Sequence, residues 1–268
     1  LLEFGKLTGY TGDSSYYRVA RKATLEIFRR RSDLDLIGSM IDVETGEWIK
    51  PECRIGAYVD SYFEYLYKAW LLFGDPEYLE AWNVHRKAIS KYMVKVEKSG
   101  WFCTRADMLS GKEIRPLYGA LDAWYAGALA LSGDTATAAS LQRGNFHMWT
   151  RFNMEPEEFD FRKDSITHPG YPLRPENIES CFYLYRATGN TIYQVMGKRM
   201  VQDILKNTRT DAGFAAVKDV RTLQLSDSME SFFFAETLKY AWLLFQKKDQ
   251  GIDLREGVFN TEAHFFKR

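Results

Sequence analysis

Trp70-Leu71-Leu72-Phe73-Gly74-Asp75-Pro76-Glu77-Tyr78 reads as the end of one helix and the start of the next. The apolar run stops at Gly74, which fits the left-handed residue that closes a helix, and Asp75 can then accept from the free N–H groups of the following one. Pro76 suits the first helical position, and Glu77 puts an acid in the first turn. The same arrangement of apolar stretch and small turn recurs around Gly12-Asp13 before Tyr16, Gly133-Asp134, and Gly189-Asn190 before Tyr193. In a fifth copy Gln246 stands where the glycine stood. The turn positions 12, 74, 133, 189 and 246 are 62, 59, 56 and 57 residues apart. This period is longer than the about 34 of tetratricopeptide repeats or the ~40–47 of armadillo-type arrays.

Each unit is therefore an αα-hairpin. Residues 60–73, 119–132, 176–188 and 229–245 read as first helices, and 77–96, 135–151 and 191–206 as second helices. Between them lie short β-like stretches with turn residues, at 40–48, 104–114, 213–225 and 258–266. Helical hairpins at this spacing predict an all-α chain in the form of an α/α toroid, with first helices lining a cavity and second helices outside. Four and a half units make an open arc, so the expectation is one domain over residues 1–268 that forms part of a longer ring, the rest lying before Leu1.

Composition narrows the function. Lys plus Arg is 36 and Asp plus Glu is 36, so no net field draws in nucleic acid or an anionic membrane. No apolar run approaches the roughly 18 residues of a membrane span, and the first residues lack a secretory-signal pattern. Cys53, Cys103 and Cys181 have no zinc or redox spacing and read as buried thiols, with one disulfide as the alternative. Phe, Trp and Tyr make up 15% of the chain, which suits either stacking on sugars or an aromatic helical core.

With the turn positions as a ruler, Glu64, Glu179 and Glu236 stand at one equivalent place on three first helices, ten residues before each turn. Asp60, Glu176 and Phe232 lie one further helical turn toward the helix starts. Asp60 and Glu64, and Glu176 and Glu179, share a helix face and would repel unless something binds them. Carboxylates converging at one end of a ring suit a cation or a sugar's hydroxyls. The opposing reading is ordinary N-terminal decoration, since acids at helix starts are favoured by the macrodipole. The basic set from Arg18 to Arg31 reads as a solvated helix face, and His85 and His147 as structural.

Four stretches carry a family resemblance: 56–66 (GAYVDSYFEYL), 173–180 (LRPENIES), 229–240 (MESFFFAETLKY) and 259–264 (FNTEAH). In this order, and over nearly the whole chain, they resemble the signatures of the class I α-1,2-mannosidases, glycoside hydrolase family 47. The resemblance implies an (α/α)7 toroid, here incomplete, with short β-hairpins. It implies a calcium-dependent enzyme that trims high-mannose N-glycans with inversion, for which base and acid stand ~6.5–9.5 Å apart. Glu176 matches the general base and Asp60 a second catalytic carboxylate. Phe232 matches the aromatic under the sugar, and Arg174, Glu179, Glu236 and Glu262 match polar residues around it. Thr261 matches the Ca2+ ligand, through carbonyl and hydroxyl. The resemblance further implies the endoplasmic reticulum or secretory pathway and, by family analogy, an oxidoreductase partner.

Several positions depart from the pattern. Tyr58 replaces the Arg of the processing enzymes, and Leu121-Asp122-Ala123-Trp124 replaces their His-containing motif, which places the chain nearer the endoplasmic reticulum degradation-enhancing branch. Phe265 replaces a common Pro. The family's acid lies in an early Phe-Glu motif followed by Ile-Arg with no match here, so the isolated chain is expected to be inactive. Two functions stand at this point: the hydrolase, and a lectin-like module that binds mannose glycans in glycoprotein quality control without cleaving them.

Overall fold

Gly74 ends its helix at φ 74°, and its N–H donates to the Trp70 carbonyl. The Asp75 side chain accepts from the Glu77 N–H at 3.0 Å with Pro76 opening the next helix, as the turn chemistry requires. The computed structural model describes residues 1–247 and 251–268, which divide into two units. The first comprises Leu1–Val94, Cys103–Arg115 and Asp253–Arg268, and the second Lys95–Phe102 and Pro116–Ile252.

The first unit contains α1 (Leu2–Thr11), α2 (Ser15–Arg29), α3 (Asp60–Phe73) and α4 (Pro76–Ala88), two antiparallel pairs joined by the Gly12 and Gly74 turns. Leu66, Ala69, Tyr78, Ala81 and Trp82 are buried between α3 and α4, each large side chain contributing about 1.5–3 kcal/mol. The α4 helix stops at Ala88, a π turn covers Ile89–Met93, and a strand starts at Val94, so the second helix expected over 77–96 is cut short. His85 is buried, as a structural histidine should be. Its Nδ1 lies 2.8 Å from the Asp35 carbonyl and its Nε2 3.0 Å from the Tyr62 hydroxyl, and burial lowers its pKa to about 4. The basic face of α2 is only partly solvated, because Arg21 reaches Asp75 at 2.7 Å and also pairs with Glu77.

The second unit contains α5 (Trp124–Leu131), α6 (Thr135–Arg151), α7 (Glu176–Thr188), α8 (Ile192–Asn207) and α9 (Lys239–Leu244). Helix α7 packs against the other four, burying Ile178, Cys181, Phe182 and Leu184 completely. The approach of α5 to α7 depends on Gly127: its N–H donates to Ser180 Oγ at 2.8 Å, and a Cβ there would lie 3.0–3.2 Å from Tyr183 and Ser180. The first helix expected over 119–132 begins later. Leu117–Gly119 is a strand paired with Glu158–Asp160, and a 3-10 turn at Ala120–Ala123 follows, with Asp122 accepting from the Gly119 N–H at 2.7 Å. The helix expected over 229–245 starts at Phe233 and runs as a π turn to Leu238. All three cysteines are buried free thiols. Among the described residues no helix is long and apolar enough to cross a membrane.

Candidate functional site

In the second unit, the loop before α7 adopts a backbone few sequences favour. Leu173 has φ 66°, in the left-handed region that costs a branched side chain energy, and its carbonyl accepts from the Thr237 hydroxyl at 2.7 Å. This bond ties the π turn carrying Glu236 to the segment that delivers Arg174 and Glu176. Of the residues picked out in the sequence, this unit holds Arg174, Glu176, Glu179, Phe232 and Glu236.

Glu176 opens α7 and is buried, and its Oε2 has no hydrogen-bond partner. Burial drives its pKa well above the ordinary carboxylate value, against the pull of the Arg174 guanidinium and its own helix-start N–H. Arg174 forms a two-pronged pair with Glu157, from Nε at 3.1 Å and Nη2 at 2.9 Å to Oε1. Its guanidinium lies 5.3 Å from the Phe232 ring centroid. Burial opposes the arginine's charge, but Glu176 and Glu157 outweigh it and hold the guanidinium firmly protonated. Glu179 follows within the first turn of α7, half-buried, and its charge raises Glu176 further. Glu236 is 8% exposed within the π turn Phe233–Leu238, a distortion that often marks a functional position.

Two carboxyls of this cluster escaped the sequence reading, Glu155 and Glu157. They flank Pro156 in an irregular segment between α6 and the strand Glu158–Asp160, outside any helix register, and only the density of acid in Glu155-Pro156-Glu157-Glu158 marks them. Glu155 is completely buried.

The first unit holds Asp60, Thr261 and Glu262. Asp60 is the first residue of α3, and its Oδ1 accepts from the Ser61 N–H at 2.8 Å. Thr261 and Glu262 form the exposed tip between the paired strands Gly257–Phe259 and Phe265–Lys267, so the β-hairpin expected there is present. Asn260 shapes the tip by accepting from the Glu262 and His264 N–H groups at 3.1 and 2.7 Å. The Thr261 N–H donates to the Tyr65 hydroxyl at 3.1 Å, Tyr65 donates to Glu3 at 2.6 Å, and Asn260 Nδ2 donates to the same Glu3 oxygen at 3.0 Å. Burial pushes Glu3 upward, but the bonds from Tyr65 and Asn260 prevail and hold it below the usual carboxylate value. Thr261 is thus clamped by its amide, while its hydroxyl and carbonyl oxygens accept no hydrogen bond among the described residues. Two such hard oxygens suit a calcium ion. Among the described residues no three His, Cys, Asp or Glu side chains are grouped to hold a metal by themselves. Glu64, aligned in the sequence with Glu179 and Glu236, is instead buried in an ion pair with Lys68.

The sequence and the fold both match known proteins. The model of Glycosyl hydrolase family 47 matches residues 1–268. "Alpha-mannosidase I MNS5" of Arabidopsis thaliana is 42% identical over 98% of this chain and 45% of its own length. "ER degradation-enhancing alpha-mannosidase-like protein 1" of Schizosaccharomyces pombe is 36% identical over 99% of this chain and 34% of its own. The chain therefore spans less than half the length of these curated relatives. Among solved structures, "alpha-1,2-mannosidase from Trichoderma reesei" superimposes with a TM-score of 0.86 at 25% identity, covering 99% of this chain and 64% of that one. This likeness shows the fold class to be the (α/α)7 toroid type, built from helical hairpins with short strands between them. With its whole length matched by the family model, the chain belongs to glycosyl hydrolase family 47.

Proposed function

We propose that this chain supplies the base-bearing part of a calcium-dependent, inverting α-1,2-mannosidase that trims high-mannose N-glycans in the endoplasmic reticulum or secretory pathway. The observation that carries this reading is Glu176: a buried carboxyl with one oxygen free of partners, beside a guanidinium that favours its anion. A module for glycan binding alone has no need of such a group. Glu176 takes a proton from water as the water oxygen bonds to the anomeric carbon, the glycosidic C–O bond breaks, and the leaving oxygen takes a proton from an acid. The nearby Arg174 charge favours the Glu176 anion, and Phe232 offers the sugar an apolar ring face. Glu179 and Glu236 accept from sugar hydroxyls. Asp60 and Glu262 take the parts the sequence resemblance implies, a second required carboxylate and a polar contact to sugar or metal.

Calcium would be held by the carbonyl and hydroxyl of Thr261, with water completing its shell. It supplies a hard cation to which sugar hydroxyls can coordinate. No matched motif provides the acid, which this reading places outside residues 1–268, and we assign no oxidoreductase partner a surface here. The names of the relatives, with their endoplasmic reticulum degradation vocabulary, support the compartment and the glycan class.

Mannose release from an α-1,2-mannobiose substrate by the full-length protein tests the reading. Release should cease with chelator and return with calcium, and calcium should raise the melting temperature by several degrees in wild type but much less in Thr261→Val. The isolated 268-residue chain should release nothing. Tight glycan binding by the full-length protein without any release would instead establish the lectin, and hydrolysis by the isolated chain would show that the acid lies within it.

A further inference from the structure

Four successive amides at the tip of the last hairpin, Thr261 to His264, each donate to an oxygen of the protein. The Glu262 and His264 N–H groups donate to Asn260 Oδ1, and the Ala263 N–H donates to the Asn260 carbonyl at 3.0 Å. The Thr261 N–H instead reaches out of the tip to the Tyr65 hydroxyl at 3.1 Å. Every group here that would repel a cation is therefore engaged. What Thr261 has left are oxygens, since its carbonyl and hydroxyl accept no hydrogen bond among the described residues.

Three of the four bonds close locally on Asn260. The fourth crosses 196 residues to the buried Tyr65 of α3, within the same unit. A hydroxyl has one proton to give and lone pairs with which to accept. Tyr65 gives its proton to Glu3 of α1 at 2.6 Å, so a lone pair is left to face the Thr261 N–H. The same Glu3 oxygen accepts from Asn260 Nδ2 at 3.0 Å, which leaves Asn260 Oδ1 to the tip amides. Glu3 thus sets the polarity of both tethers. Thr261 and Glu262 are exposed, and exposed loop tips are ordinarily the mobile parts of a fold. Ordering such a backbone on binding costs affinity, and an ion held by few protein atoms gains most when those atoms are already in place.

We propose that Tyr65 is a positioning residue for the calcium ligand: oriented by Glu3, it holds the Thr261 backbone before the ion arrives, so that carbonyl and hydroxyl are presented together. Tyr65 acts through the Thr261 amide and not by touching the ion. The inference rests on reading Thr261 as the calcium ligand.

Tyr65→Phe in the full-length protein tests this, because it keeps the ring and removes only the hydroxyl. Glu3 and Thr261 are exposed enough for water to replace it, so the melting temperature in chelator should stay within about 2 °C of wild type. The calcium Kd, read by calorimetry, should rise about tenfold, the equivalent of ordering roughly one residue's backbone on binding. Hydrogen exchange of residues 260–264 without calcium should be faster than in wild type, and saturating calcium should slow it again. In a Thr261→Val background, where the ligand is already impaired, Tyr65→Phe should change the Kd by less than about twofold. An unchanged Kd in Tyr65→Phe, or an equal loss of melting temperature with and without calcium, would make Tyr65 a structural residue only and overturn the proposal. If Tyr65→Phe fails to fold, Glu3→Ala takes its place, and its tip should again exchange faster and bind calcium more weakly; unchanged exchange overturns the proposal, since loss of a charge alone would not free the tip. Calcium binding that survives Thr261→Val intact would remove the ligand itself, a failure separate from this one.

Discussion

Glu176→Gln in the full-length protein is expected to lower kcat by about 10²–10⁴-fold while leaving glycan affinity within a few-fold of wild type. Glutamine matches the size of the glutamate, and its N–H groups and carbonyl can satisfy much the same surroundings, but it cannot take a proton from water. Structural damage is expected to be small, since the substitution removes a buried charge that burial already disfavours. Single-turnover hydrolysis of α-1,2-mannobiose, with the Kd measured separately by calorimetry, distinguishes lost chemistry from lost binding. Equal turnover by both forms would take Glu176 out of the mechanism.

The second large effect concerns stability. Lys68 and Glu64 pair one helical turn apart on α3, with side chains only 3% and 9% exposed. Lys68→Met should cost about 3–5 kcal/mol, because it leaves a carboxylate buried without its cation. Glu64→Leu/Lys68→Met together should recover most of that loss, since an apolar pair has no desolvation to repay. Urea unfolding of the single and double variants checks both statements. A loss below about 1 kcal/mol for Lys68→Met would mean that water reaches the pair and screens it.

The pair also shows where reading the sequence stops. Register alone put Glu64 with Glu179 and Glu236, but Lys68 four residues on answers its charge locally, and a ruler that scores only acids passes over it. Helix ends were legible wherever the chain spends specific residues on them. Gly74-Asp75-Pro76 and Gly189-Asn190 mark their turns, and α3 and α7 start and stop where expected. The start of α5 was not legible. Leu117–Gly119 is a strand because Glu158–Asp160 lies beside it, some forty residues away, and periodicity over a short window carries no trace of such a partner. The π turn at Glu236 and the left-handed Leu173 are likewise fixed by the Thr237 bond across sixty-four residues. Glu155 is the clearest case: an acid beside a proline ordinarily belongs to a solvated loop, yet here it is fully buried with Asn177 of α7 donating to it, a placement that no local pattern announces. Thr261 was singled out by motif, while the clamp that presents it joins its neighbour Asn260 to two distant parts of the chain, Tyr65 and Glu3.

Proton NMR of the sugar first released by the full-length protein from an α-1,2-linked mannose disaccharide tests the central claim most directly. If Glu176 activates water, that water attacks opposite the leaving group, and β-mannose must appear first, with the α anomer growing in only by mutarotation. First appearance of α-mannose would mean retention through a covalent glycosyl-enzyme, with a carboxylate as nucleophile, and would contradict the role assigned to Glu176.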